Sequence, residues 1–181
     1  MSERGDSKDT IADLLGQLGS ATEGSAPPIH LWNPEHCGDI DMEIRRDGSW
    51  WHEGRPIKRE KLVKLFASVL RREEDGEYYL VTPVEKARIT VELHPLLVTD
   101  VDYVPESEPK TLLLSLNTGG QVLMDEAHPP KLEPRAGHAV YVEINRGLTA
   151  LFSRSAWYRL ASMLDDKGQI ESAGQHFNLL P

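Results

Sequence analysis

Two arginines stand where chemistry with an anion is possible. Arg59 lies four residues before Val63 and seven before Phe66, on the apolar side of a helical pattern. Arg154 stands in the same relation to Tyr158 and Ala161. A charge on such a face is costly unless it is paired. The expected partner is a carboxylate of the fold, such as Glu85, Asp47 or Glu143, or a bound anion; plain exposure is the third possibility. A guanidinium at a helix start adds its charge to free backbone N–H groups, which suits phosphate or carboxylate.

A ligand set can be assembled around them. Lys86, Glu85 and Thr82 come from the loop after the first β-segment and would add polar contacts. Trp50 or Tyr158 would supply a stacking face. Other chemistries find less support. His36 adjoins Cys37, with Asp39 and Asp41 close behind, but adjacent ligands suit tetrahedral geometry poorly. The same pair is the one hint of a nucleophile beside a base. Asn117-Thr118-Gly119-Gly120 lacks the lysine and the following helix of a phosphate loop and reads as a turn. Acids are plentiful, yet nothing singles out a catalytic pair.

The elements that must position these residues are legible in the pattern. The chain has 181 residues, 39% of them hydrophobic, enough for one domain or two small ones with a core. Its single cysteine excludes an intrachain disulfide and a cysteine-rich zinc site. Net charge is −9, which disfavours nucleic acid and anionic membrane as partners. No apolar run is long enough to span a bilayer, and the polar N-terminus lacks a signal region, so a cytoplasmic location is the expectation. Charge is uneven. Residues 41–91 hold 11 basic and 10 acidic side chains, whereas residues 92–133 hold eight acids and two lysines.

A short helix is expected at Asp9–Leu18, followed by a linker to Pro28. Met42–Arg46 and Ser49–His52 read as strands joined by a two-residue turn at Asp47-Gly48, so Trp50 and Trp51 must face opposite ways. Residues 58–72 read as one amphipathic helix, with Lys61, Lys64 and Arg71 on its solvated side. Strands follow at 77–82 and 87–93, then at 97–103, 111–116, 121–124, 138–144 and 148–152. Residues 128–137 read as a proline-rich loop, and a second helix runs over 155–164. Laying residues 57–69 over 152–164 aligns Arg59 with Arg154 and Leu62 with Trp157, which suggests a degenerate duplication.

The pattern Cys37-Gly38, Asp47-Gly48-x-Trp50, Gly54-x-Pro56-Ile57-x-Arg59, Leu62-Val63-x-Leu65-Phe66, Asp75-Gly76 and Leu80-Val81-Thr82-Pro83-Val84-Glu85-Lys86 resembles a bacterial family of uncharacterised proteins, a domain-of-unknown-function family. Leu151-Phe152-Ser153-Arg154, with Tyr158 and Leu160, is similar to that family's second helix. The resemblance covers roughly residues 30–165. It implies an α+β architecture of two related strands-plus-helix halves packed together, mostly antiparallel, the second half like a pleckstrin-homology fold. It also implies a binding site between the halves, for a nucleotide-like ligand, and a role in signalling. His52 replaces the family's usual aromatic.

The expected organisation is a helix and linker over 1–28, a first half over 29–93, a β-rich second half over 94–167 and a tail over 168–181. The expected function is a non-enzymatic module that binds a small anionic ligand through Arg59, Arg154, Lys86, Glu85, Thr82, Trp50 and Tyr158. The alternative is a protein-interaction adaptor without a ligand. A hydrolase or metal enzyme is the third reading.

Overall fold

The computed structural model describes residues 12, 14–16, 18 and 26–180. The chain divides into two compact units, Met1–Glu92 and Leu93–Pro181. The helix expected at Asp9–Leu18 falls largely outside the described residues; those described within it are helical, and Leu14 and Leu18 are buried.

The fold is α+β. In the first unit the strands are β1 (His36–Ile44), β2 (Trp50–His52), β3 (Arg55–Pro56), β4 (Leu70–Arg72), β5 (Tyr78–Val81) and β6 (Lys86–Val91), with helix α1 (Glu60–Ser68) between β3 and β4. They form one sheet in the order β3-β2-β1-β6-β5-β4. Two three-stranded meanders meet along β1 and β6, which run parallel; every other pairing is antiparallel. Alternation makes the core: Met42 and Ile44 from β1, Trp50 from β2, Leu80 from β5, Ala87 and Ile89 from β6 are buried. Phe66 of α1 stacks on Trp50 at 6.1 Å between ring centroids. Trp51 points the other way and lies under the Arg45 guanidinium, 3.6 Å from its ring centroid.

Two turns repeat one device. In both, the N–H of the first residue bonds the carbonyl four residues on: Arg45 to Ser49, and Glu73 to Glu77. Gly48 and Gly76 take the left-handed conformation at φ +80° and +84°. Asp47 and Asp75 each accept the N–H two residues ahead. The first loop is therefore a three-residue turn, one residue longer than the Asp47-Gly48 signal suggests, with glycine in the position that would strain a side chain.

The expected helix over 58–72 is really helix then strand. It ends at Ser68, whose Oγ donates to the Leu65 carbonyl, and Leu70–Arg72 pairs with Tyr78–Leu80. Arg71 is consequently not on a solvated helix face. Its guanidinium donates to the carbonyls of Ile29 and Trp32 and to Glu73, fastening residues 29–32 to β4.

The second unit holds β7 (Leu96–Tyr103), β8 (Leu112–Leu116), β9 (Gln121–Met124), β10 (Pro130–Glu133), β11 (Ala139–Glu143) and β12 (Thr149–Phe152), then helix α2 (Arg154–Ala161) and a hairpin of β13 (Gln169–Ser172) and β14 (Gln175–Asn178). Read from one edge, the six-stranded sheet runs β9-β8-β7-β12-β11-β10. This is the order of the first sheet, six strands on, with the same parallel seam between first and last strands. The two-half arrangement thus resides in the sheets. The helices do not repeat with them: α1 follows the third strand of its unit, and α2 follows the sixth.

Two further segments depart from the sequence reading. Pro130–Glu133 is an edge strand inside the expected proline-rich loop; a proline is tolerated there because an edge position leaves one side of the backbone unpaired. The expected tail is the β13–β14 hairpin. Ser172 Oγ holds it by accepting from Leu112 N–H and donating to the Met124 carbonyl.

Candidate functional site

Arg59 is the residue before α1. Its backbone is extended (φ −79°, ψ 103°), and its carbonyl accepts from both Leu62 and Val63. The side chain is exposed and makes no ion pair among the described residues. The apolar side of α1 is completed by Phe66 and Ala67 without it. The expectation of a charge on a buried face fails here, because a cap residue lies off the helical wheel.

Arg154 is the first residue of α2. Ser153 caps that helix, its Oγ accepting from Ala156 N–H at 3.2 Å. Ala156 and Leu160, four residues apart, face the core. Arg154 and Tyr158, also four apart, share an exposed face, with the guanidinium carbon 5.8 Å from the ring centroid. Tyr158 is 60% exposed. So the apolar face expected through Tyr158 is turned: Arg154 sits beside an exposed ring and needs no internal carboxylate. The acids considered as partners are engaged elsewhere. Glu143 pairs with Lys131 at 2.8 Å, and Asp47 holds Ser49.

The other expected contacts are spread through the first unit. Trp50 is 2% exposed and belongs to the core, so its ring presents no face to a ligand; its Nε1 is buried without a partner among the described residues, as is His52 Nε2. Thr82 is buried, and its Oγ1 both donates to the Glu85 carbonyl and accepts from Glu85 N–H, locking the β5–β6 turn. Lys86 lies 3.7 Å from Glu73 and 4.9 Å from the Tyr79 ring centroid. Asp39 pairs with Arg88 through both carboxylate oxygens. No group of three or more His, Cys, Asp and Glu residues is placed to hold a metal among the described residues. The side chains of His36 and Cys37 lie outside the description.

The sequence reading missed the most elaborate polar constellation, which lies in the second unit. His94, 4% exposed, bonds Thr149 Oγ1 through Nδ1 at 2.7 Å and Glu133 Oε2 through Nε2 at 2.9 Å. Tyr141 packs against its ring at 4.9 Å. Glu133 also accepts from Arg135 side-chain and backbone N–H groups. The Arg135 guanidinium is the largest influence on Glu133 and holds its carboxyl at about 2, against the raising effect of burial. Burial pushes His94 below its ordinary value, which leaves the ring neutral near pH 7. An ionised carboxylate only accepts, so Nε2 carries the proton and Nδ1 accepts from the threonine hydroxyl. The order hydroxyl, imidazole, carboxylate is that of a nucleophile with its base and orienting acid. Here all three members are buried, and the network ties the entry to β7 to β10 and β12. A histidine in the apolar run His94-Pro95-Leu96-Leu97-Val98 was the available signal; its partners, 39 and 55 residues away, were not.

Among the described residues no helix is long and apolar enough to cross a membrane. Family models match both parts of the chain: "Domain of unknown function (DUF1285), N-terminal domain" over residues 27–93, and "Protein of unknown function (DUF1285), C-terminal domain" over residues 95–179. The chain is similar to the crystal structure of a DUF1285 family protein from Silicibacter pomeroyi DSS-3, with 38% identity, a TM-score of 0.80, and coverage of 92% of this chain and 94% of that one. It is also similar to a DUF1285 family protein from Shewanella baltica OS155, with 30% identity, a TM-score of 0.56, and coverage of 70% and 94%. No curated protein matches it.

Proposed function

We propose, for a chain that belongs to the DUF1285 family, a non-enzymatic role in binding a small anion. The observation that carries this reading is the state of the two helix-start arginines. Both are exposed, and neither is paired with a carboxylate among the described residues. Each adds a guanidinium to the unsatisfied N–H groups of a first helical turn. The ring of Tyr158 beside Arg154 supports a ligand with a flat part and an anionic part, such as a nucleotide. The proposed contacts are therefore Arg59 at the helix start of the first unit and Arg154 with Tyr158 at that of the second, each taken by itself. Lys86 and Glu85 would join only if Lys86 left Glu73. Binding would act by shifting a population of conformations, the usual basis of a signalling role.

A thermal-shift series with nucleotides and small anions tests this, run on the wild type and on Arg59→Ala and Arg154→Ala. A ligand at about 100 times its dissociation constant adds about 2.7 kcal/mol of stability. That gain is expected in the wild type and lost in the variant whose helix start holds the ligand; both variants should fold normally because both side chains are exposed. Stabilisation equal in all three proteins, or in none, would end the reading.

A further inference from the structure

Apart from Arg72, which donates to the Gly76 carbonyl and lies over the Tyr78 ring, the described cations of the first unit fall into two groups. Arg45, Arg46, Arg88, and the Arg71–Lys86 pair that shares Glu73, all lie within salt-bridge reach of carboxylates. Arg55, Lys58, Arg59, Lys61 and Lys64 do not: all are exposed, and none has a charged or aromatic partner among the described residues. These unpaired cations are consecutive in the chain, from β3 into α1. Lys61 and Lys64 are three apart and share the exposed side of the helix. Glu60 is the one acid among residues 55–64. The net charge is −9, yet these five cations make no ion pair among the described residues.

We infer that this strip is a docking surface for an acidic segment of another protein. Charge complementarity selects the occupant. No aromatic residue lies within 55–64 to stack a base, and the dense charge of a phosphate backbone is disfavoured by a net charge of −9 more than a short run of carboxylates is. A membrane would need an apolar face to insert, but the apolar side of α1 is directed inward, with Phe66 and Ala67 buried. Carboxylates spread along a polypeptide match a row of separated ammonium groups. Lysine heads are compact and strongly hydrated, so the contact is loose, quickly formed and sensitive to salt. The inference goes beyond the small-anion reading and does not depend on it, since the lysines carry it.

The test is fluorescence anisotropy with a short labelled polyglutamate peptide at low salt, on the full chain. The Lys58→Glu, Lys61→Glu, Lys64→Glu triple variant keeps Arg59 and Arg154. Wild type should bind, and the variant should bind about tenfold more weakly, as expected for the loss of three exposed ion pairs. Raising salt should abolish the difference. A Lys→Gln triple variant should lie between the two, which separates charge from fold. Absence of wild-type binding would overturn the proposal, as would equal binding by the variants. Tighter binding of a single-stranded oligonucleotide of the same length would overturn it in favour of nucleic acid. Salt-sensitive self-association in sedimentation, lost in the triple variant, would overturn it in favour of a second copy. Failure of Arg59→Ala and Arg154→Ala to change small-anion binding would leave this result untouched.

Discussion

The two units thread six strands in the same order and fill them differently. The first sheet is closed over an aromatic stack, Trp50 on Phe66. The second encloses a histidine held by a threonine and a carboxylate. The helix enters after three strands in one unit and after six in the other. What is shared is the pairing scheme: two meanders joined along a parallel seam. The lesson is that a strand order does not dictate its interior. Apolar stacking and a saturated polar network both satisfy it, because each removes its groups from water without leaving a charge alone.

The sharpest way to break this comparison is at the stack. Phe66→Ala should cost about 3–5 kcal/mol by urea unfolding, since a fully buried ring leaves a cavity. A loss below about 1 kcal/mol would mean α1 is not holding the first sheet.

In the second unit the corresponding cut is Glu133→Gln. It removes the charge shared by His94 and Arg135, and should cost about 1–3 kcal/mol, discounted because the Arg135 side chain is 66% exposed. The variant also has a pH signature. The folded value of Glu133, about 2, lies below its ordinary 4.5, so its contribution is complete above pH 4.5 and is lost as pH falls through about 2. His94 is likewise depressed from 6.5, so its contribution is full above pH 6.5 and declines as pH falls below that. Acid titration of stability should therefore be flatter between pH 4.5 and 2 in Glu133→Gln than in wild type. Parallel curves would remove Glu133 from the network's energetics.

The smallest expected effect sharpens the contrast. Trp50→Phe keeps a ring against Phe66 and deletes an N–H that has no partner among the described residues. Its cost should stay within about 1 kcal/mol, because an unsatisfied donor is itself unfavourable. A large loss would show that the volume of the indole, rather than its N–H, decides the packing of this core.

The sequence announced the strands whose side chains alternate, such as Met42 and Ile44, and the opposed faces of Trp50 and Trp51. It misplaced the end of α1, because Val69, Leu70 and Arg71 fit a helical stripe as well as a strand, and pairing with Leu80 decides between them. Prolines hid β10, and the β13–β14 hairpin was hidden because Ile170 is the single large apolar residue of its first strand. The burial of both arginines was misjudged: at Arg59 one residue's shift moves the side chain from the wheel to the cap, and at Arg154 the buried face runs through Ala156 and Leu160 instead of Tyr158. The His94 network was not legible, since its members meet only when distant strands are aligned.

The parallel seams have a consequence for synthesis. In each unit the first strand lies at the centre of the six-stranded sheet, yet one of its two neighbours is the last strand of that sheet to be made. Until Lys86–Val91 has left the ribosome, His36–Ile44 can pair on one side only, and its other edge stays open to passing chains. The same delay recurs between Leu96–Tyr103 and Thr149–Phe152. Each unit thus has its own interval of exposure during translation, and the first interval ends before Thr149–Phe152, which closes the second, has emerged.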